Sequence, residues 1–122
     1  MRVLADTSVW IDHFRFGQER LAEWLVTRKV LMHPYIYGEL ACGNFINRAK
    51  TLAYLSALPA ADVALDDEVL LLIEGRKLWN RGLGWVDVHL LASAHLSGAR
   101  LWTLDKQLLK AAADLNVHLH LS

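Results

Sequence analysis

The chain has 122 residues, 54% hydrophobic and 21% charged, a composition of one ordinary domain with enough apolar surface for a core and too much for disorder. Its 13 basic and 13 acidic residues cancel, so composition alone does not announce a nucleic-acid binder. A lone cysteine, Cys42, excludes a disulfide framework and reads as a small buried hydrophobe, while the absence of a leader-like segment or a membrane-length apolar run gives a cytoplasmic expectation.

Val3 to Ala5 reads as a short buried strand, followed by the helix-start cluster Asp6-Thr7-Ser8. A helix through Trp10 and Phe14 breaks at Gly17, and Glu19 to Arg28 forms an amphipathic helix with Leu21, Trp24 and Leu25 on one face. Val30 to Met32 is a second strand, ended by His33-Pro34. Helices follow over Tyr35 to Cys42 and Phe45 to Leu58, the latter closed by Pro59. Ala61 to Leu65 is a third strand candidate. Asp66-Asp67-Glu68 opens a helix to about Trp79, with acids where the helix dipole prefers them. After a loop containing Gly82 and Gly84 come a helix from Asp87 to Leu96, a strand from Arg100 to Leu104, a helix from Lys106 to Leu115 and a last strand from Val117 to Leu121.

Short apolar strands alternating with helices define an α/β fold, a parallel sheet covered on both faces. Residues 1–122 carry no linker or repeat and read as a single domain. Right-handed crossovers bring the C-terminal ends of all strands to one edge, where ligands of such sheets bind. Asp6 and Asp105 each follow a strand, so both belong on that edge. Glu39 and Asp87 are the other acids in apolar surroundings.

Two readings of these four acids compete. Asp6, Asp87 and Asp105 stand at expected helix starts, where aspartate caps are worth about 1 kcal/mol over alanine, and caps in an α/β fold share one rim. Against capping alone, Thr7 and Ser8 could cap in place of Asp6, and Glu39 lies within a helix, where burying an unpaired carboxylate is costly. If the four meet, two charges about 4 Å apart repel by about 4 kcal/mol at an effective dielectric near 20. Either some protonate or a cation binds, and all-oxygen ligands favour Mg²⁺ or Mn²⁺ over zinc. Thr7, Ser8 and Thr103 are placed to hold water or orient a carboxylate, or to serve as buried caps.

At these residues the chain resembles the PIN-domain family of metal-dependent ribonucleases, in particular the small VapC toxins. Asp6-Thr7-Ser8-Val9-Trp10-Ile11-Asp12 is similar to the family's first motif, Tyr37-Gly38-Glu39-Leu40 to its second, Gly84 to Ala94 to its third, and Thr103-Leu104-Asp105-Lys106 to its last. The resemblance spans essentially the whole chain. It implies a three-layer α/β/α domain with about five parallel strands, and Asp6, Glu39, Asp87 and Asp105 as catalytic ligands of Mg²⁺ or Mn²⁺. It further implies cleavage of RNA, commonly tRNA or rRNA, as the toxin of a toxin–antitoxin pair, a homodimer, and a VapB-like antitoxin partner. Some members carry a further acid just after the last motif's aspartate, where this chain has Lys106 and Gln107.

The remaining features have bland and functional readings side by side. Arg15, Arg48, Arg76, Lys77 and Arg81 are candidate phosphate contacts or solvated helix surface. Trp85 is the best placed of five Trp for base stacking, Trp10 and Trp24 fit the core, and His118 and His120 share one strand face. The rival functions are another Mg²⁺-dependent phosphoesterase and a non-catalytic RNA- or protein-binding relative. An aspartyl-nucleophile phosphatase wants a second Asp two residues after the first, where this chain has Ser8.

Overall fold

Val3, Leu4 and Ala5 are wholly buried, which is why a three-residue apolar run without alternation becomes the middle of the sheet. The computed structural model describes residues 1–121. Its elements are β1 (Arg2–Ala5), α1 (Thr7–Phe16), α2 (Glu19–Val26), β2 (Val30–Leu31), α3 (Pro34–Ala41), α4 (Arg48–Ser56), α5 (Asp66–Arg76), α6 (Trp85–Ser97), β3 (Ala99–Trp102) and α7 (Lys106–Asp114). The strands are parallel in the order β2-β1-β3. Right-handed crossovers place α1 to α4 over one face and α5 to α7 over the other. In agreement, α1 packs on α3 and β1, α5 on α6, and α6 on β1 and β3.

The sheet has three strands among the described residues, not about five. The two outer segments reduce to single parallel bridges, Met32 with Ala60 and Leu101 with His118. At the first, Met32 N–H donates to the Pro59 carbonyl (2.8 Å) and Ala61 N–H donates back to Met32 (2.9 Å). Pro59 has no N–H to lengthen the ladder. The strand expected over Ala61 to Leu65 is irregular, because Ala61 and Ala64 are buried while Asp62, Val63 and Leu65 are exposed, a pattern without the strand's period of two. At the other edge Leu101 N–H donates to Val117 (2.7 Å) and accepts through its carbonyl from Leu119 N–H (3.0 Å). The Arg100 guanidinium also binds the Asn116 carbonyl there (2.7 Å), and the strand expected over Val117 to Leu121 is a single bridge at His118.

Element boundaries differ from those expected, and three of the differences bear on the site. Helix α4 starts at Arg48 rather than Phe45, because the preceding turn ends at Asn47 in the left-handed region (φ 56°) and Phe45 stacks on Phe14 instead (4.8 Å). Helix α6 starts at Trp85, two residues before Asp87. Strand β3 stops at Trp102, releasing Thr103 and Leu104 to the rim. Cys42 is exposed, not buried, since it caps the C-terminus of α3 where the chain turns outward.

Candidate functional site

Strand order reverses between β1 and β3: β1 leads to β2 on one side, and β3 leads through α7 to the His118 bridge on the other. Such a switch point opens a crevice beyond the strand ends. Asp6 and Thr103 stand there as the residues directly following β1 and β3. Asp6 N–H donates to the Trp102 carbonyl (2.9 Å), tying the two strand ends together.

The Asp6 side chain is 7% exposed and is met by three donors. Its Oδ1 accepts from the Ser8 hydroxyl and from Val9 N–H (3.2 Å), the N-cap bond of α1. Its Oδ2 accepts from the Thr103 hydroxyl. Burial raises the Asp6 carboxyl above the ordinary aspartate value, and those hydrogen bonds offset part of the rise. Capping and a site role are thus not alternatives here: one oxygen caps while the other is bound across the crevice.

Thr103 extends the network, since its oxygen also accepts from Asp105 N–H (3.0 Å). Asp105 is exposed and caps α7 through Leu108 N–H (2.9 Å). Ser8 accepts from Leu104 N–H (3.0 Å). On the other flank the Thr7 hydroxyl donates to Glu39 Oε1 (2.7 Å). Glu39 is exposed on α3, so the burial cost expected for it does not arise, and its partner is a hydroxyl rather than a cation. Hydrogen bonds therefore connect three of the four acids to one rim. Asp87 is not in that chain. It sits in the first turn of α6, not at its cap, with Oδ2 accepting from Gly84 N–H (2.9 Å).

None of the four acids is neutralised by a base, for the ion pairs among the described residues are Arg81 with Asp114 and His89 with Asp66. Nor are any three carboxylate, imidazole or thiol groups among the described residues already gathered into a metal-sized cluster. Each acid is instead turned to a local donor. The donor chemistry, one buried uncompensated carboxylate and three accessible ones with no thiolate or imidazole among them, fits a hard divalent cation better than zinc.

Sequence reasoning missed a second set of buried polar groups behind the rim. His33 follows β2 and the Met32 bridge, His89 lies on α6, and both are 0% exposed. His33 Nδ1 accepts from Tyr35 N–H (3.0 Å), capping α3, and His89 Nε2 pairs with Asp66 Oδ1 (2.9 Å). Tyr35 and Trp85 each pack edge-on against His89, at 4.9 and 4.8 Å. The available signal was position, since a polar residue directly after a strand lies on the rim. Trp85 itself is 41% exposed.

The candidate basic residues divide. Arg48 binds the carbonyls of Ala41 and Gly43, and Arg76 that of Asp114. Arg15 lines a groove of 350 Å³ with Ile11, Phe14, Glu39 and Phe45. Arg81 lines a separate cleft next to α7.

Three comparisons bear on these observations. The PIN domain family model matches residues 3–114. Ribonuclease VapC32 of Mycobacterium tuberculosis, in strains CDC 1551 / Oshkosh and ATCC 25618 / H37Rv, is 47% identical over 118 residues, 96% of this chain and 95% of the relative. A crystal structure of PAE2754 from Pyrobaculum aerophilum superposes with a TM-score of 0.58 over 90% of this chain and 78% of that one, at 22% identity, a likeness of fold.

Proposed function

Because the chain belongs to the PIN-domain family, we propose that it is a Mg²⁺- or Mn²⁺-dependent endoribonuclease of the VapC type, the toxin of a toxin–antitoxin pair acting on structured RNA such as tRNA or rRNA. The observation that carries this reading is the buried Asp6 carboxylate, without a basic side-chain partner among the described residues and held across the switch point by Thr103. Asp6, Glu39, Asp87 and Asp105 would hold the metal. Bound there, a divalent cation supplies Lewis-acid stabilisation of charge at phosphorus and lowers the pKa of an attacking water. The chain's own part is positioning. Ser8 and Thr103 fix both Asp6 oxygens, Thr7 aims Glu39, and Thr103 seats the α7 start that carries Asp105.

The reading extends to partners. The groove of 350 Å³ beside Glu39 has apolar walls of Ile11, Phe14 and Phe45, and Phe16 at the end of α1, Val26 at the end of α2 and Ile46 before α4 are exposed. A VapB-like antitoxin segment filling that groove would cover Glu39. Exposed Leu70 and Leu71 on α5 suit a homodimer. No helix among the described residues is long and apolar enough to cross a membrane.

The deciding experiment is cleavage of RNA with Mg²⁺ or Mn²⁺, with chelator, and with Asp6→Asn. Loss of activity of about 10³-fold or more on either treatment is expected, from the several kcal/mol a metal contributes to such a transition state. Asp6→Asn should also abolish the rise in Tm that Mg²⁺ gives the parent protein. Undiminished cleavage in chelator would end the metal mechanism.

A further inference from the structure

The acidic rim needs something to hold a polyanion against it, and the neutral net charge supplies no general attraction. One cleft outside the acid network has the missing chemistry. It measures 380 Å³ and is lined by Asn80, Arg81, Gly82, Gln107 and Lys110: two cations, two amides, a backbone turn and no acid. Each of its walls runs along the chain into an element that carries a rim acid. The 80–82 turn runs through Gly84, whose N–H holds Asp87, into α6. Gln107 and Lys110 lie on α7, three residues apart and thus on one helix face, in the helix capped by Asp105.

The cleft is a built feature. Gly82 has φ 74°, and a Cβ there would come within 3.3 Å of the Gln107 side chain, so the turn and α7 meet closely because position 82 lacks a side chain. Arg81 is fixed through one terminal nitrogen by Asp114 (2.7 Å), leaving its remaining donors without a protein partner among those described. Lys110 is exposed and makes no ion pair among the described residues.

Resting on the nuclease reading, we propose that this cleft is the phosphate clasp of the substrate: Lys110 and Arg81, aided by Gln107 and Asn80, grip a backbone phosphate of RNA whose neighbouring linkage lies at Asp87 and Asp105. Contacts to phosphate position the strand without reading its sequence.

The test uses a short fluorescein-labelled single-stranded RNA and fluorescence anisotropy, in the full chain carrying Asp6→Asn so that nothing is cut. Adding Lys110→Ala should raise Kd about three- to tenfold at low salt and shallow the slope of log K against log salt by about 0.7, the value of one phosphate contact on a single strand. Lys110→Arg should restore both, and Lys50→Ala, an exposed lysine on α4, should change neither. If Lys110→Ala binds with unchanged Kd and slope while the protein with Asp6 intact cleaves RNA, the clasp is refuted and the nuclease reading stands. If that protein cleaves no RNA with Mg²⁺ or Mn²⁺ and the Asp6→Asn chain binds none, the nuclease reading fails and the clasp falls with it.

Discussion

Asp6 leaves β1 and His33 leaves β2, neighbouring parallel strands, and both side chains are buried. Asp6 meets two hydroxyls and an amide, so all its donors come to it and a negative charge is tolerated. His33 meets one amide through Nδ1, which places its proton on Nε2, and that nitrogen has no partner. His89, 6.5 Å away between ring centroids, spends Nε2 on Asp66 and leaves Nδ1 without one. Burial and the neighbouring His89 push the His33 pKa down to about 4. The difference teaches how one rim holds two buried polar groups: hydroxyl donors make Asp6 fit for charge, and burial without such partners keeps His33 neutral. A neutral imidazole does not compete with a metal for the acids.

The sharpest test of that contrast is acid. For His33 the folded pKa of about 4 lies below the ordinary 6.5, so between these values the unfolded chain binds more protons. Its contribution to stability is fully present above pH 6.5 and is lost as pH falls towards 4. At about 1.4 kcal/mol per unit the loss is on the order of 3 kcal/mol. Protonation at Nδ1 would also break the Tyr35 cap bond. Asp6 runs the other way: its carboxyl is raised, so its contribution is present below the ordinary value and lost as pH rises through the folded one. Urea unfolding at pH 7 and pH 4.5 should show the drop. His33→Asn, which keeps a cap acceptor but does not titrate, should flatten it. An equal drop in that variant would place the acid sensitivity elsewhere.

The next test removes a hydroxyl from the charge-tolerant side. Thr103→Val deletes the donor to Asp6 and the acceptor for Asp105 N–H with little change of shape. A cost of about 2 kcal/mol is expected, as for leaving a buried charged acceptor short of a partner. The Asp6 carboxyl would rise further, and cleavage at neutral pH would fall with it. Unchanged urea midpoints together with unchanged cleavage would mean that the bond across the crevice does not support the site.

The contrast also explains what could be read in advance. The Asp6 side was legible because its pieces are local: an apolar run, an acid at its end, then Thr7 and Ser8. Parallel topology did the rest, bringing Thr103 to Asp6 across 97 positions. The helices were legible for the same reason, with errors where a turn residue took the left-handed region, as at Asn47. The outer strands were not legible, because Ala60 and His118 pair at a single position each and a lone bridge leaves no periodic trace. The exposure of Glu39 and Cys42 depends on which way α3 ends, and no spacing encodes that. The His33 and His89 pair was invisible because its bonds run to Tyr35 and to Asp66, a mix of short and long separations with no shared motif.

The smallest expected effect distinguishes a buried ion pair from a hydrogen bond at the surface of the imidazole cluster. Asp66 is 70% exposed as a side chain whereas His89 is wholly buried. Water screens the carboxylate, so the bond's charge adds little. Asp66→Asn keeps an amide oxygen able to accept from His89 Nε2–H and removes only the charge. The expected loss is about 0.5 kcal/mol, part of it from the helix dipole that an acid in the first turn of α5 complements. Urea unfolding of the variant beside the parent measures it, and a loss several times larger would mean that the charge of Asp66, and not its acceptor oxygen alone, holds the buried imidazole in place.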